Sequence, residues 1–117
     1  VFGYQGKQVR DNIHSRDLVE AFWQFFERPR AGAVYNIGGG MKSNCSMLEA
    51  IDKAETLCGR TMNWSYDPQH RTGDHIWYIS DLRSFKTHYP SWSLSRDIDR
   101  IFTELHEGLS ERLSRDT

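Results

Sequence analysis

The sequence has few of the features that mark a membrane, secreted or nucleic-acid-binding protein. It contains no apolar run near the roughly 20 residues that a membrane-spanning helix needs. Its first residues carry no basic segment followed by an apolar stretch, as a secretion signal would. The 15 basic and 16 acidic residues nearly balance, which provides no positive surface for nucleic acid or anionic lipid. We therefore predict a cytoplasmic chain that binds neither a membrane nor nucleic acid.

Cysteine is also scarce, with Cys45 and Cys58 alone in the sequence. Their spacing is too long for a C-x-x-C redox pair or a metal-binding knuckle. We predict that both lie on one helix as reduced thiols that pack against their neighbours.

The chain of 117 residues has room for one small domain, and we predict that residues 1–117 form it. An enzyme that needs a separate cofactor domain would be incomplete at this length. The first residue is Val1 rather than methionine, inside an apolar Val-Phe-Gly stretch, so we expect a fragment that begins within a strand.

Hydrophobic periodicity predicts an α/β fold with short strands and flanking helices. Residues 7–14 alternate loosely, as one or two short strands would. A helix is then predicted from an N-cap at Ser15 to Pro29, with an acidic first turn at Asp17. Its broad apolar stripe predicts a buried face: Leu18, Val19, Phe22, Phe25 and Phe26.

A strand-helix-strand unit is predicted over residues 33–66. Residues 33–37 are apolar and precede three glycines, and residues 62–66 alternate as a strand would. Between them, Ser46 and Glu49 form a capping box and Gly59 supplies a left-handed helix end. We predict that the two strands pair in parallel through a right-handed crossover.

The last third predicts one more strand and two helices. A polar loop over residues 67–75 leads to a short extended stretch at 76–79. Asp81 then caps a helix that ends before Pro90. A final amphipathic helix is predicted from about Leu94.

The glycine triplet, residues 38–40, follows a predicted strand, as a phosphate-cradling loop would. The dinucleotide pattern G-x-G-x-x-G would need glycine where Ser43 stands. The best helix start, Ser46, is also too far away to place phosphates at the helix N-terminus. A simple glycine turn is therefore favoured over a cofactor loop.

The polar loop holds four side chains that could ligate a divalent metal: Asp67, His70, Asp74 and His75. Their spacing matches no signature of a metal site, and no predicted helix or turn fixes it. We predict no metal site there.

Two arginines, Arg10 and Arg71, lie on segments that border a site. A guanidinium presents a planar fork of donors that matches phosphate oxygens, so two of them could hold a diphosphate. Pairing of Arg10 with Asp11 or Asp17 is the structural alternative, since surface arginines are usually solvated.

Three blocks of sequence carry a resemblance to a known family. Residues 2–15 (FGYQGKQVRDNIHS), followed by a helix that begins D-L, resemble the segment G-x-x-V-R-D-[Y/N]-[I/V]-H-x-x-D-L. Residues 34–46 are similar to Y-N-[I/L]-G-x-G with a downstream serine, and residues 71–74 to R-x-G-D. These are motifs of the nucleotide-sugar epimerases and dehydratases, the NAD-dependent epimerase/dehydratase family of the extended short-chain dehydrogenase/reductase class. The segments RDNIHS (residues 10–15) and YNIGGG (residues 35–40) most resemble the sequences of the CDP-paratose (CDP-tyvelose) 2-epimerases.

The resemblance implies that this chain is the C-terminal, substrate-binding domain. An N-terminal Rossmann domain, absent from this chain, would hold NAD and perform hydride transfer, with C2 epimerisation of CDP-paratose to CDP-tyvelose as the parent reaction. The resemblance also implies that Arg10 and Arg71 bind the diphosphate of a nucleotide sugar and that Asp74 binds the ribose hydroxyls. A homo-oligomer would also be compatible with the family.

Three further positions follow from the same resemblance. Phe2 would lie beside the nucleobase, and Tyr78 matches a position that lines the nucleotide site in related epimerases. Asn12 stands where some relatives have tyrosine. All six residues are expected substrate contacts.

The chain lacks the catalytic motifs of the family. The Rossmann glycine loop is absent, and so is the Tyr-x-x-x-Lys pair, because Tyr4 and Lys7 have one residue too few between them. In the family that lysine lowers the pKa of the tyrosine base. We expect no catalytic or cofactor-binding residue here and no turnover by the isolated chain.

Two alternatives stay open on the sequence alone. The parent enzyme could act on a UDP- or dTDP-sugar as an epimerase or a 4,6-dehydratase. The chain could instead be a non-enzymatic nucleotide-binding or protein-interaction module whose many aromatic residues dock a partner.

Overall fold

The computed structural model describes residues 1–115 and shows a three-stranded sheet with helices around it. In chain order the elements are β1 (Val9–Asp11), α1 (Ser15–Glu27), β2 (Asn44–Ser46), α2 (Met47–Cys58), β3 (Trp77–Tyr78), α3 (Arg83–His88) and α4 (Ile98–Arg115). Short 3-10 turns lie at Tyr4–Gly6 and Gly40–Lys42. Within residues 1–115, no helix combines the length and the apolar character that crossing a membrane requires.

The sheet has the order β2-β1-β3, so β1 is the central strand. It runs antiparallel to β2, with Arg10 opposite Cys45, and parallel to β3, with Arg10 opposite Tyr78. The strand predicted within residues 7–14 is confirmed at Val9–Asp11. Both edges of β1 are therefore occupied by strands that come from distant parts of the sequence.

The predicted strand-helix-strand unit is wrong. Neither residues 33–37 nor residues 62–66 form a sheet strand; both segments are loops. The end of the second segment runs beside the first residues of the chain, where Phe2 and Asp67 form an isolated parallel bridge. The first segment contributes side chains to the core instead. The two segments do not pair with each other, because the first packs on the core through Tyr35 and Ile37 and the end of the second is hydrogen-bonded to Val1.

Helix α2 follows its capping signals. The Ser46 hydroxyl accepts from the Glu49 N–H at 3.2 Å, and the Glu49 carboxylate accepts from the Ser46 N–H at 2.7 Å. Gly59 ends the helix in the left-handed conformation, at φ 63°. The predicted capping box and C-terminal cap are both confirmed.

The other helix starts differ from their predictions by one or more residues. His14, not Ser15, caps α1, because its Nδ1 accepts from the Arg16 N–H at 3.1 Å. Helix α3 begins after Leu82, although the Asp81 carboxylate still accepts from the Arg83 N–H at 3.0 Å. Side-chain and backbone hydrogen bonds from Arg83 lower the pKa of Asp81 to about 2.

Helix α4 begins at Ile98 rather than near Leu94 because the buried carboxylate of Asp17 holds the preceding segment in another shape. Asp17 Oδ2 accepts from the backbone N–H groups of Ser95 and Arg96, at 3.1 and 3.0 Å. The Ser95 hydroxyl donates to the other oxygen of Asp17 at 2.5 Å. The Trp92 indole N–H donates to the Asp17 carbonyl oxygen at 2.9 Å.

The core lies between α1, α3 and the segment that joins α3 to α4. Its buried members are Ala21, Leu82, Phe85, Tyr89, Trp92 and Leu94, with Ile13, Tyr35 and Ile37 packed against them. Aromatic rings dominate the contacts: Phe85 stacks on Tyr89 with centroids 4.6 Å apart and meets Trp92 edge to face at 5.1 Å. Such pairs stabilise beyond the area that they bury.

The aromatic stripe of α1 is mostly exposed, so its predicted burial is wrong. Ala21 and Asp17 form the buried side of the helix. Val19, Phe22, Trp23 and Phe26, here named the outer face of α1, are 53% to 73% exposed. The outer face is therefore an apolar patch that no other part of residues 1–115 covers.

The cysteines also depart from their prediction. Both are free, but Cys45 is a buried residue of β2 and only Cys58 lies on a helix, exposed at the end of α2. Burial raises the pKa of the Cys45 thiol. Cys45 is therefore the packing thiol, and Cys58 is not.

The Asp17 cluster predicts a pH-dependent stability. Burial raises the pKa of this carboxyl, but the hydrogen bonds from Ser95 and Arg96 outweigh it and bring the pKa below 3.8. A depressed native pKa stabilises the fold above the unfolded-state value of about 3.9, and this contribution is lost as the pH falls through the native pKa. We expect Asp17→Asn to lower the free energy of unfolding by about 2 kcal/mol at pH 7.

Urea unfolding at pH 7 and near pH 3 measures this effect. The difference between the wild type and Asp17→Asn should shrink at the lower pH. Asp52→Asn, which changes an exposed carboxylate of α2, should alter the stability by less than about 0.5 kcal/mol. An equal difference at both pH values would contradict the assignment.

Candidate functional site

Alternate residues of the central strand open onto one cavity. Gln8, Arg10 and Asn12 repeat every two positions, which places their side chains on the same face of the sheet. The cavity measures about 470 Å³. It is lined by Val1, Phe2, Gln8, Arg10, Asn12, Cys45, Ser46, Met47, Ala50, Arg71, Asp74, Ile98, Ile101, Phe102 and Leu105. Five of the six predicted substrate contacts therefore share one cavity.

Arg10 forms an ion pair with Asp74, and not with Asp11 or Asp17. Its Nη2 lies 2.7 Å from Asp74 Oδ1, and its Nη1 donates to the Val9 carbonyl oxygen at 2.9 Å. The two side chains are 35% and 26% exposed, so solvent reaches the pair. Arg10 lines the cavity and has five N–H donors, more than these two contacts use. Asp74 thus fixes the guanidinium in place.

Arg71 enters the cavity from the loop that follows Asp67. A turn through Gly73, at φ 77°, lets the Asp74 N–H donate to the Arg71 carbonyl oxygen at 3.1 Å. This turn brings both side chains to the cavity from one short segment. Within residues 1–115, no carboxylate pairs with the Arg71 guanidinium. The cavity therefore holds one paired and one unpaired arginine.

Phe2 and Asn12 line the cavity from the chain before β1 and from the residue directly after it. Phe2 is 53% exposed beside its bridge with Asp67. The Asn12 amide donates to the Arg10 carbonyl oxygen at 3.3 Å. Phe2 offers a flat apolar surface, and Asn12 retains its amide oxygen as an acceptor.

Tyr78 lies beside the cavity rather than in its lining. It is the register partner of Arg10 on β3, is 49% exposed, and packs against His75 with ring centroids 5.5 Å apart. The structure therefore separates Tyr78 from the other five predicted contacts.

Sequence analysis missed Gln8. Its Nε2 donates to the Phe2 carbonyl oxygen at 3.1 Å, while its Oε1 is buried and has no hydrogen-bond partner within residues 1–115. A buried acceptor without a partner is costly, and a donor on a bound ligand would satisfy it. The two-residue period shared with Arg10 and Asn12 was the signal that pointed to Gln8.

Sequence analysis also missed the apolar wall. Helix α4 contributes four apolar side chains to the cavity, Ile98, Ile101, Phe102 and Leu105, and α2 adds Met47 and Ala50. All six lie far from Arg10 in the sequence, so no local pattern connects them with it. The result is a cavity with a basic side and an apolar side, as ligand sites with a few placed polar groups usually have.

The glycine triplet does not fit a cofactor phosphate. The Gly40 N–H donates to Asp11 Oδ2 at 2.8 Å, and the Ser80 N–H donates to the same oxygen at 3.0 Å. A side-chain carbon on Gly38 would lie 2.4 Å from that carboxylate oxygen. A carboxylate in this place repels phosphate and occupies a donor that phosphate would need. Close packing explains the glycines, and the loop offers no site for the pyrophosphate of NAD.

The four possible metal ligands of the polar loop have separate neighbours. Asp67 accepts from the Gln69 N–H at 2.9 Å, and Asp74 pairs with Arg10. The rings of His70 and His75 pack against Tyr4 and Tyr78. Within the described residues, no three acidic, cysteine or histidine side chains are arranged to hold an ion.

Comparison with known proteins supports the resemblance predicted from the motifs. Residues 1–38 match the model of the NAD dependent epimerase/dehydratase family. A CDP-paratose 2-epimerase from Salmonella typhi is 29% identical over 90 residues, which cover 75% of this chain and 26% of that protein. The predicted resemblance is thereby confirmed, and the chain matches about a quarter of the length of this relative.

Solved structures share the fold. MoeE5 in complex with UDP-glucose and NAD has a TM-score of 0.82 at 25% identity, over 97% of this chain and 37% of that chain. UDP-glucuronic acid 4-epimerase from Bacillus cereus, in complex with UDP-glucuronic acid and NAD, has a TM-score of 0.80 at 21% identity, over 95% and 34%. These likenesses confirm the predicted α/β fold class. The chain corresponds to about a third of the length of these structures.

The packing explanation of the glycine triplet predicts the effect of one added methyl group. In Gly39→Ala the new carbon would lie 2.2 Å from the Asn12 carbonyl oxygen and 2.3 Å from that of Ser43. Both are backbone atoms, so we expect a loss of about 3 kcal/mol in the free energy of unfolding. Chemical denaturation measures it.

Gly108→Ala is the matched control. Gly108 lies within α4 with open space around it, so alanine should stabilise the helix by up to about 1 kcal/mol. Tolerance of Gly39→Ala would show that the triplet is a loose loop, open to a ligand.

Proposed function

We propose that the chain is the substrate-binding part of an NAD-dependent nucleotide-sugar epimerase or dehydratase. The observation that carries this proposal is the convergence of Arg10, Arg71 and Asp74 on one cavity with an apolar wall. These residues come from two of the three sequence blocks that resemble the family. Their arrangement suits a ligand with an anionic diphosphate and a flat, less polar base.

The two arginines would bind the diphosphate. A guanidinium fork matches phosphate oxygens, and one charge-assisted contact from each arginine contributes about 1.5 to 3 kcal/mol. Association itself costs at least about 4 kcal/mol. The two arginines alone would thus give affinity in the millimolar range at best, and a tighter complex requires contacts from the rest of the ligand.

Asp74 would change partners when the ligand binds. In the free chain it neutralises Arg10 across 2.7 Å. A diphosphate that engages Arg10 supplies a competing negative charge, and Asp74 then accepts hydrogen bonds from the ribose hydroxyls. Phe2 would lie beside the nucleobase, and Asn12 would add a polar contact. Tyr78 would contact the ligand only if β3 shifts toward the cavity.

The finer assignment is to a CDP-sugar, with C2 epimerisation of CDP-paratose to CDP-tyvelose as the parent reaction. The similarity to the Salmonella typhi protein supports it. The alternative is a UDP-sugar enzyme, since MoeE5 and the Bacillus cereus epimerase were solved with UDP-sugars. The unpartnered Gln8 Oε1 accepts equally well from the amino group of cytosine or the ring N–H of uracil.

A cofactor-binding domain would be the partner of this chain. The outer face of α1 is the surface proposed to receive it, because four large apolar side chains there are more than half exposed. NAD would be held by that domain, since the glycine triplet of this chain does not fit it. The isolated chain would then bind nucleotide without turning it over. A cytoplasmic location and a homo-oligomeric parent stay predictions of the sequence.

Titration with CDP and UDP, followed by NMR, tests the nucleotide site. We expect chemical-shift changes at Arg10, Arg71 and Asp74 with millimolar dissociation constants. Arg71→Ala should weaken binding at least about tenfold, because removing a charge-assisted contact costs about 1.5 kcal/mol or more. A lower dissociation constant for CDP than for UDP would support the CDP-sugar assignment.

Arg60→Ala is the control for charge, because Arg60 is exposed just after α2 and outside the cavity lining. It should leave both dissociation constants within about twofold. If neither CDP nor UDP changes the chemical shifts of the wild type, the isolated chain has no nucleotide site. That outcome would leave the interaction module as the better explanation.

The outer face of α1 predicts a surface that binds apolar probes. We expect the chain to enhance the fluorescence of an anilinonaphthalene sulfonate dye and to self-associate on sedimentation at high concentration. Phe22→Glu should reduce both effects, because it places a charge among Val19, Trp23 and Phe26. Leu109→Glu, at a residue of α4 that is 55% exposed, controls for any added charge. Equal effects of the two variants would contradict a specific docking face.

A further inference from the structure

The two sides of the cavity come from elements that are not joined by backbone hydrogen bonds. The basic side is built on β1, the centre of the sheet, whereas the apolar wall is one side of α4. The width of the cavity therefore depends on the side-chain contacts that hold α4 against the rest of the chain. The affinity of a ligand that contacts both sides would depend on that width.

One histidine joins the end of β1 to the middle of α4. His14 lies three residues after Asp11, the last residue of β1, and its Nε2 is 2.8 Å from Glu104 Oε2. Glu104 lies between the wall residues Phe102 and Leu105. The His14 and Glu104 side chains are only 11% and 32% exposed, so this contact is largely shielded from water.

The geometry fixes the direction of this hydrogen bond. His14 Nδ1 accepts from the Arg16 backbone N–H at 3.1 Å, so in the neutral ring the proton is on Nε2. Nε2–H therefore donates to Glu104. The hydrogen bond from His14, followed by that from Arg100, lowers the pKa of Glu104 and keeps it ionised. A single ring thus caps α1 with one nitrogen and holds α4 with the other.

The remaining ion pairs of this region do not replace the contact. Lys53 pairs with Asp99 and connects α4 to α2 only. Arg100 binds Glu104 within α4 itself, with Nε and Oε1 2.6 Å apart. Arg96, which precedes the first residue of α4, pairs with Asp17 at 3.4 Å, and its Nε lies 3.9 Å from Glu104 Oε1, a longer contact than that of His14. His14 contacts the centre of the wall from the segment directly after β1, the strand that carries Arg10.

We propose that His14 and Glu104 are a positioning pair, which sets the apolar wall of α4 at the distance from β1 that suits a nucleobase. This inference rests on the proposed nucleotide-binding function. The wall receives the flat heterocycle while Arg10 and Arg71 hold the phosphates. Loss of the pair would then weaken contacts to the base and leave contacts to the phosphates unchanged.

Two substitutions of Glu104 test the proposal, with CDP and inorganic pyrophosphate as probes in NMR titrations. Glu104→Ala removes the acceptor, and we expect it to raise the dissociation constant for CDP about fivefold, equivalent to about 1 kcal/mol. Glu104→Gln keeps an oxygen for the Nε2–H and should stay within about twofold of the wild type. Neither should change the shifts that pyrophosphate induces at Arg10 and Arg71.

Arg100→Ala is the matched control, because it removes the other main partner of Glu104 and leaves His14 in place. It should not alter CDP affinity by more than about twofold. An independent measurement is the tautomer of His14 from its ring nitrogen shifts. The wild type should protonate Nε2, and the opposite tautomer would overturn the proposal whatever the binding data.

The binding outcomes separate this inference from the proposed function. Unchanged CDP affinity in Glu104→Ala, with a wild type that binds CDP, would overturn the positioning role alone. Equal weakening of CDP and pyrophosphate would assign the pair to general stability and also overturn it. A wild type that binds neither CDP nor UDP would refute the proposed function, and this inference with it.

Discussion

The carboxylate of Asp11 is the contact on which the arrangement of the site depends. It accepts two backbone N–H groups, from Gly40 at 2.8 Å and Ser80 at 3.0 Å, and so ties the central strand to two segments that are distant in sequence. The absence of side chains at Gly38 and Gly39 permits this close approach. Because Asp11 faces inward, its neighbours Arg10 and Asn12 face the cavity on the other side of the strand.

The charge distribution of the cavity follows from that constraint. Arg10 is held by Asp74, whereas Arg71 comes from the turn at Gly73 and has no carboxylate partner within the described residues. Opposite them, α4 presents only apolar side chains to the cavity. A ligand with a diphosphate at one end and an aromatic ring at the other would match both sides, which is why the proposed function combines them.

The exposure of the outer face of α1 follows from the small size of the buried core. A small chain buries a limited part of its apolar surface, and here the buried core is confined to α1, α3 and the segment around Tyr89 and Trp92. The helix that carries the aromatic face is anchored by Asp17 on its other side. These hydrogen bonds fix α1 against the segment before α4 and leave its outer face exposed for the proposed cofactor domain.

The sequence by itself determined the local features of this protein. The capping box at Ser46, the left-handed end at Gly59 and the central strand near Val9 were predicted because each depends on residues within a few positions of one another. The motifs also predicted the resemblance to the epimerase/dehydratase family and five of the residues that line the cavity. Periodicity could not tell that the aromatic face of α1 is exposed, since it identifies an apolar side but not what covers it.

Tertiary structure decided the pairing of strands, the start of α4 and the second half of the cavity. The partners of β1 come from residues 44–46 and 77–78, and a carboxylate at Asp17 stops α4 from starting earlier. Arg10 meets Asp74 across 64 positions, and His14 meets Glu104 across 90. Local sequence patterns fix only the conformation of neighbouring residues, whereas such contacts arise when the whole chain packs.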